Sequence, residues 1–218
     1  MTKILVFDTE TTGLPPKRTK LTKKNLSLFP YIVQLSYVVY DSEKNSFQEH
    51  DHIIKLPEGI PNNPDAVKIH GITDEIINEK GEDCESVFEN FIGYMKECHT
   101  LVAHNINFDI RMLRVEFFRN GLLAQMQNMR NIHFCTMEHG INYTLIPFRV
   151  KNGHTEFKRP KLIELHEKLF NETPKNLHNA LVDVYVCFRC FYFMSYRKDY
   201  FNDDNIKHKE RFKELCGL

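Results

Sequence analysis

The chain of 218 residues is long enough to bury one substantial core, and its 29 basic and 29 acidic side chains cancel. With 42% hydrophobic and 27% charged residues, the composition excludes a disordered or fibrous chain and, on net charge alone, a polyanion or polycation. Met1 leads directly into the strand-like run KILVF without the basic and apolar regions of a leader, and no apolar run approaches a bilayer span, so a soluble intracellular protein without a membrane partner is expected.

Residues 3–9 read as a buried strand. A Gly/Pro turn at 13–16 leads into a basic loop, residues 15–30, carrying Lys17, Arg18, Lys20, Lys23 and Lys24. Residues 31–41 and 47–56 follow as second and third strands. Residues 62–71 form a short helix stopped at Gly71, and Thr73 caps another brief turn. Val87, Phe88, Phe91, Ile92 and Met95 recur at helical spacing and predict a helix over 84–98. The short strand in TLVAHN ends at Ala103, and a helix over 108–120 is closed by Gly121. Residues 131–137 are a fifth strand. A second basic stretch runs from Arg149 to Lys161. Helices are expected at 161–170 and 179–196, ahead of a charged segment, 197–218, whose structure the pattern leaves open. Strands first in series and then alternating with helices describe an α/β fold, a mixed five-stranded sheet flanked by helices. The six cysteines show no disulfide spacing, and the lone Cys187–Cys190 CxxC reads as core packing.

The helix from Ala180 to Met194 is apolar on nearly every side, yet holds Asp183. A buried carboxylate needs a partner, and Arg189, six residues on, is too far round the helix to serve. Asp8 and Glu10 share one face of the first strand at its end, where two like charges favour a cation between them. Asp109 falls in the first turn of the helix after Ala103. Each of these alone has a structural explanation: a salt bridge, a chance D-x-E, a helix-dipole partner. Together they gather four hard oxygen ligands at the strand ends, the set that suits magnesium or manganese near phosphate. Two such ions about 4 Å apart serve phosphoryl displacement. His178 sits just before the helix, and histidine, titrating nearest neutrality, suits a general base for the attacking water. The two basic arms suit an anionic polymer, or are simply two solvated loops.

FDTETTG from Phe7, HNINFDIRML from His104 and HNALVDV from His178, in this order, resemble the three motifs of the DEDDh 3′–5′ exonucleases of the ribonuclease H-like superfamily. The intervening YIVQLSYVVYD, NPDAVKIHGIT and LIELHEKLF resemble that family too. The resemblance implies a ribonuclease H-like fold and an exonuclease domain over residues 1–196, with 197–218 as a C-terminal extension. It implies release of nucleoside 5′-monophosphates from a DNA or RNA 3′ end, with two Mg2+ or Mn2+ ions. Asp8 would bridge both ions, Glu10 and Asp183 would hold one, Asp109 the other, and His178 would be the base. Residues matching Thr11, His70 and Phe108 line the terminal-nucleotide pocket in the family, and Phe108 offers a stacking surface. Asn105 is either a hydrogen-bonding support or a turn former.

The basic loop is longer than the compact fold needs. Its NLSLF resembles a sliding-clamp-binding pentapeptide with Asn25 in place of glutamine, and is read here as Leu26, Leu28 and Phe29 pinning the loop to the core. D-T-E-T-T superficially resembles the nucleophile motif of haloacid dehalogenase-like phosphatases, which want an aspartate where Glu10 stands. A non-catalytic binding module or polymerase-associated subunit is the other alternative, although every signature residue is present. DNA and RNA, a single strand and a frayed end, and a polymerase or second-copy partner all fit the residues equally.

Overall fold

Ile4, Leu5, Val6 and Phe7 are all buried, as a central strand covered on both faces requires. They belong to β1 (Lys3–Thr11) in the computed structural model, which describes residues 3–127, 129–150 and 153–218. β2 (Ile32–Asp41) pairs antiparallel with β1, and β3 (Ser46–Ile53) antiparallel with β2. After α1 (Pro64–His70), α2 (Asp74–Lys80) and α3 (Cys84–Glu97), β4 (Thr100–Ala103) lies parallel to β1. α4 (Ile106–Arg119) leads to β5 (Ile132–Cys135), parallel to β4, and the sheet order is β3-β2-β1-β4-β5. This is a ribonuclease H-like mixed five-stranded sheet.

Alternation along β1 splits the core into two layers. Leu5 and Phe7 pack with α3 and α4, while Ile4 and Val6 pack beneath α7 (Ala180–Tyr196). No helix among the described residues is long and apolar enough to cross a membrane.

The structure departs from the sequence expectations in several places. The third strand stops at Ile53; Ile54 still donates its N–H to the Val33 carbonyl at 2.9 Å and forms an isolated parallel bridge with Glu82. The helix expected at 108 starts at Ile106, since Asn105 turns the chain at φ 71°. The fifth strand stops at Cys135, and α5 (Thr136–Thr144) follows without a break. Packing rather than propensity places α5: a Cβ on Gly140 would come within 3.1 Å of Pro160 and Leu165. The second basic stretch joins a small hairpin, β6 (Pro147–Arg149) with β7 (Thr155–Phe157), while its Lys151 and Asn152 lie outside the described residues. α6 (Leu162–Phe170) precedes α7, and residues 206–216 form α8 (Ile206–Cys216), whose Phe212 and Cys216 enter the same core layer as α7.

The basic loop is pinned differently from expectation. Phe29 is buried, but Leu28 is 64% exposed and Leu26 half-buried. α4 supplies the remaining anchors. Arg111 donates to the carbonyls of Pro16 and Thr19 (2.7 and 3.1 Å). Arg119 donates to those of Phe29 and Pro30 (2.6 and 2.8 Å), with its guanidinium 3.6 Å from the Tyr31 ring centre.

Candidate active site

Asp8 and Glu10 continue the even-numbered face of β1, the one that packs against α7. Just beyond them the β1–β2 register shifts between Glu10 and Thr11, a bulge where the strand leaves the ladder. Gln34, the cross-strand partner of Glu10, accepts from the Ala180 N–H at 3.2 Å and so fixes the start of α7 over the strand end. Asn179 caps that helix, its Oδ1 accepting from the Leu181 and Val182 N–H groups (3.1 and 3.3 Å). Asp183 thereby hangs over Asp8 and Glu10.

Asp109, 2% exposed, reaches the cluster from the opposite layer on α4. The backbone N–H and Oγ1 of Thr9 both donate to its Oδ1, at 3.2 and 2.8 Å. Thr9 therefore holds one carboxylate while its neighbours on the strand present two others.

The electrostatics of the cluster are one-sided. Burial pushes the Asp8 carboxyl up to about 7. Burial also raises Glu10 to about 9, with further contributions from the charges of Asp8, Asp183 and Asp109. Asp109 and Asp183 are likewise driven well above the usual carboxylate range by burial and by Asp8. Asp183 Oδ2 accepts from the His178 N–H at 3.3 Å, but its Oδ1 is buried with no hydrogen-bond partner. Ligand atoms of Glu10, His178 and Asp183 all lie within 4.8 Å of one another. This donor set fits a hard divalent cation: it is rich in oxygen, it contains an orphaned buried acceptor, and it carries negative charge that protein groups leave unbalanced.

His178 itself is exposed and sits at φ 70°, a left-handed conformation that costs a non-glycine residue roughly 1–2 kcal/mol. A cavity of about 480 Å³ beside it is lined by Asp8, Asn105, His178 and Asp183. A second cavity, of about 440 Å³, brings Thr11, His70 and Phe108 together with Glu10. Thr11 Oγ1 donates to the Gly13 carbonyl at 2.7 Å, and His70 Nδ1 accepts from the Ile72 N–H at 3.0 Å. Burial lowers the His70 imidazole below its ordinary value, a hydrogen bond with the Thr11 backbone opposing. Asn105 is separate from these three. Its carbonyl accepts from the Phe108 N–H at 2.8 Å, and it serves the left-handed turn into α4.

Sequence reasoning passed over Thr9, His104, Arg159 and Lys161. His104 is pushed down to about 4 by burial, the Pro160 carbonyl opposing. Its Nδ1 lies 2.9 Å from Thr136 Oγ1 and its Nε2 3.1 Å from the Pro160 carbonyl, so it ties the end of β4 to the chain entering α6. Arg159 and Lys161, on that chain, line the cavity beside Asp8 and Asp183. The only sequence signals were a histidine directly after a strand and the second run of basic residues.

A mixed five-stranded sheet with helices on both faces and an acidic cluster at the end of its central strand defines a ribonuclease H-like nuclease fold. The chain belongs to the exonuclease family: the RNase T model, described as Exonuclease, matches residues 5–191. It is similar to the DNA polymerase III subunit epsilon of Buchnera aphidicola subsp. Acyrthosiphon pisum, 26% identical over 216 residues, covering 98% of this chain and 81% of that one. The epsilon subunit of Haemophilus influenzae is 28% identical over 180 residues, 82% of this chain and 62% of that one. Among solved structures, E. coli Exonuclease I in complex with a dT13 oligonucleotide superposes with a TM-score of 0.66 at 21% identity, over 97% of this chain and 46% of that one. This chain thus spans less than half of Exonuclease I, and that likeness concerns the fold.

Proposed function

We propose that this chain is a divalent-metal-dependent 3′–5′ exonuclease that hydrolyses the terminal phosphodiester bond of a DNA strand and releases nucleoside 5′-monophosphates. The observation that carries the reading is the meeting of four carboxylates at the end of β1, each driven toward protonation by burial or by the others, with the Asp183 Oδ1 left unpartnered. Asp8, Glu10 and Asp183 would hold one Mg2+ or Mn2+ ion, and Asp8 with Asp109 a second. The chemistry such ions supply is neutralisation of charge on the phosphate oxygens and acidification of the attacking water.

The chain's own groups do the rest. A ring nitrogen of His178 takes the proton from the attacking water. The spacing of up to 4.8 Å between its ligand atom and those of Glu10 and Asp183 suits one water hydrogen-bonded on both sides, which spans roughly 5 Å. Thr9 keeps Asp109 in place through two donors. Phe108 stacks on the terminal base, with Thr11 and His70 alongside it in the same cavity. Lys17, Lys20, Lys23 and Lys24, on a loop anchored by Arg111 and Arg119, carry the phosphates further along the strand. DNA is favoured over RNA by the names of the relatives, subunits of a DNA polymerase, which also point to a polymerase as partner.

The test is a time course on matched 5′-labelled DNA and RNA single strands with Mg2+, Mn2+ or EDTA. Metal-dependent ladders shortening from the 3′ end of DNA are expected. A faster RNA ladder would reverse the substrate assignment. No shortening of either strand by folded protein would leave a binding module.

A further inference from the structure

The loop that carries His178 is held by the last turn of the C-terminal helix. Between Phe170 of α6 and Ala180 of α7, Asn171, Asn176 and His178 all adopt positive φ, at 55°, 61° and 70°. Non-glycine residues keep such conformations where the surroundings hold them. Here Lys175 N–H donates to the Cys216 carbonyl at 2.7 Å, and Asn176 Nδ2 donates to the Leu215 carbonyl at 3.1 Å. Both acceptors are last-turn carbonyls of α8, which have no partner within their own helix. Gly217 closes against the same place: a Cβ there would come within 3.2 Å of Lys175 Cδ.

α8 is itself firmly seated. Phe212 stacks on Phe201 with ring centres 4.5 Å apart and lies 4.8 Å from the Arg189 guanidinium. That guanidinium pairs with Glu172 of the His178 loop at 2.6 Å and with Asp199 of the C-terminal segment at 2.7 Å. Cys216 is fully buried in the same core layer.

We propose that α8 is a positioning element for catalysis: its terminal carbonyls, through Lys175 and Asn176, fix the loop that sets His178 against Glu10 and Asp183. The inference rests on the reading of His178 as the base. Asn176 and Gly217 are positioning residues acting through His178, so their loss falls on kcat and leaves KM nearly untouched.

Four variants of the 218-residue chain test it: Asn176→Gly, Gly217→Val, Lys209→Ala and His178→Ala. Asn176→Gly deletes the donor while keeping the left-handed backbone accessible. Gly217→Val approaches the contact from the other side. Lys209→Ala removes an α8 ion pair to Asp203 away from the loop. The expected result for the first two is a kcat loss of about ten- to a hundredfold with KM changed by less than about twofold. Amide hydrogen exchange at residues 175–179 should accelerate, while Lys209→Ala behaves as wild type. Wild-type kcat in both loop-contact variants, with His178→Ala inactive, overturns the positioning role alone. Unchanged exchange in the loop also overturns it. Wild-type kcat in His178→Ala overturns the base assignment, and the inference with it.

Discussion

Two charged side chains on α7, six residues apart, are treated in opposite ways. Arg189 is 6% exposed and fully compensated: it binds Glu172 and Asp199, touches His166 Nε2 at 3.1 Å, and lies over the rings of Phe170 and Phe212. Asp183, at the start of the same helix, faces the carboxyl groups of Asp8 and Glu10 and one backbone N–H. A satisfied buried charge is architecture, and this one staples the loop before α7 to the segment after it. An acidic cluster left unbalanced stores a demand for positive charge, which is the property a cation-dependent site requires.

The sharpest way to break this contrast is to remove a member of the acidic cluster. Asp8→Ala should lower nuclease activity by roughly a thousandfold or more without loss of fold, as measured by single-turnover kinetics and circular dichroism. Retained activity would place the chemistry elsewhere. Removing the satisfied charge should do the reverse. Arg189→Ala removes the hydrogen-bonded ion pairs to Glu172 and Asp199, which stay partly solvated, together with the Arg189 packing on Phe170 and Phe212, and urea unfolding should show a loss of about 1–3 kcal/mol.

The contrast was partly legible in the residues. Asp183 stood out because it violates an otherwise apolar helix, and helical spacing correctly excluded Arg189 as its partner. Period-two alternation put Asp8 and Glu10 on one face, and the apolar run before them made β1 central. The partners of Arg189 were not legible, because Glu172 and Asp199 reach it only after two chain reversals. Thr9 pointed away from its neighbours, as alternation requires, but nothing local indicated that Asp109 waited on that side. α5 was hidden because Cys135 supplies no cap hydrogen bond and the helix contains Gly140, which belongs there for close packing. α8 was not legible, because Phe212 and Cys216, one turn apart, are too sparse an apolar stripe within a strongly charged segment.

A smaller effect concerns pH. Asp8 is raised from its ordinary 3.8 to about 7 and Glu10 from 4.5 to about 9. A carboxyl with a raised pKa binds more protons in the folded than in the unfolded state, so stability falls as pH rises through this window. In EDTA, the protein should lose on the order of 1–3 kcal/mol between pH 4 and pH 9 from this cluster, and Asp8→Asn should flatten the slope. A slope that persists in Asp8→Asn would assign it to other groups. Smallest is the pocket: Phe108→Ala should raise KM about tenfold through lost base stacking, in steady-state assays on single-stranded DNA. An unchanged KM would remove Phe108 from the substrate path.

The central claim is that the cluster around Asp183 is unbalanced until a cation binds. Thermal unfolding of wild type and Asp183→Asn at pH 7.5, in EDTA and in saturating Mn2+, tests it directly. The account predicts that Mn2+ raises the wild-type melting temperature by about 5–10 °C. It also predicts that Asp183→Asn melts above wild type in EDTA and gains much less from the metal. A wild-type protein indifferent to Mn2+, or an Asp183→Asn variant less stable than wild type in EDTA, would contradict it.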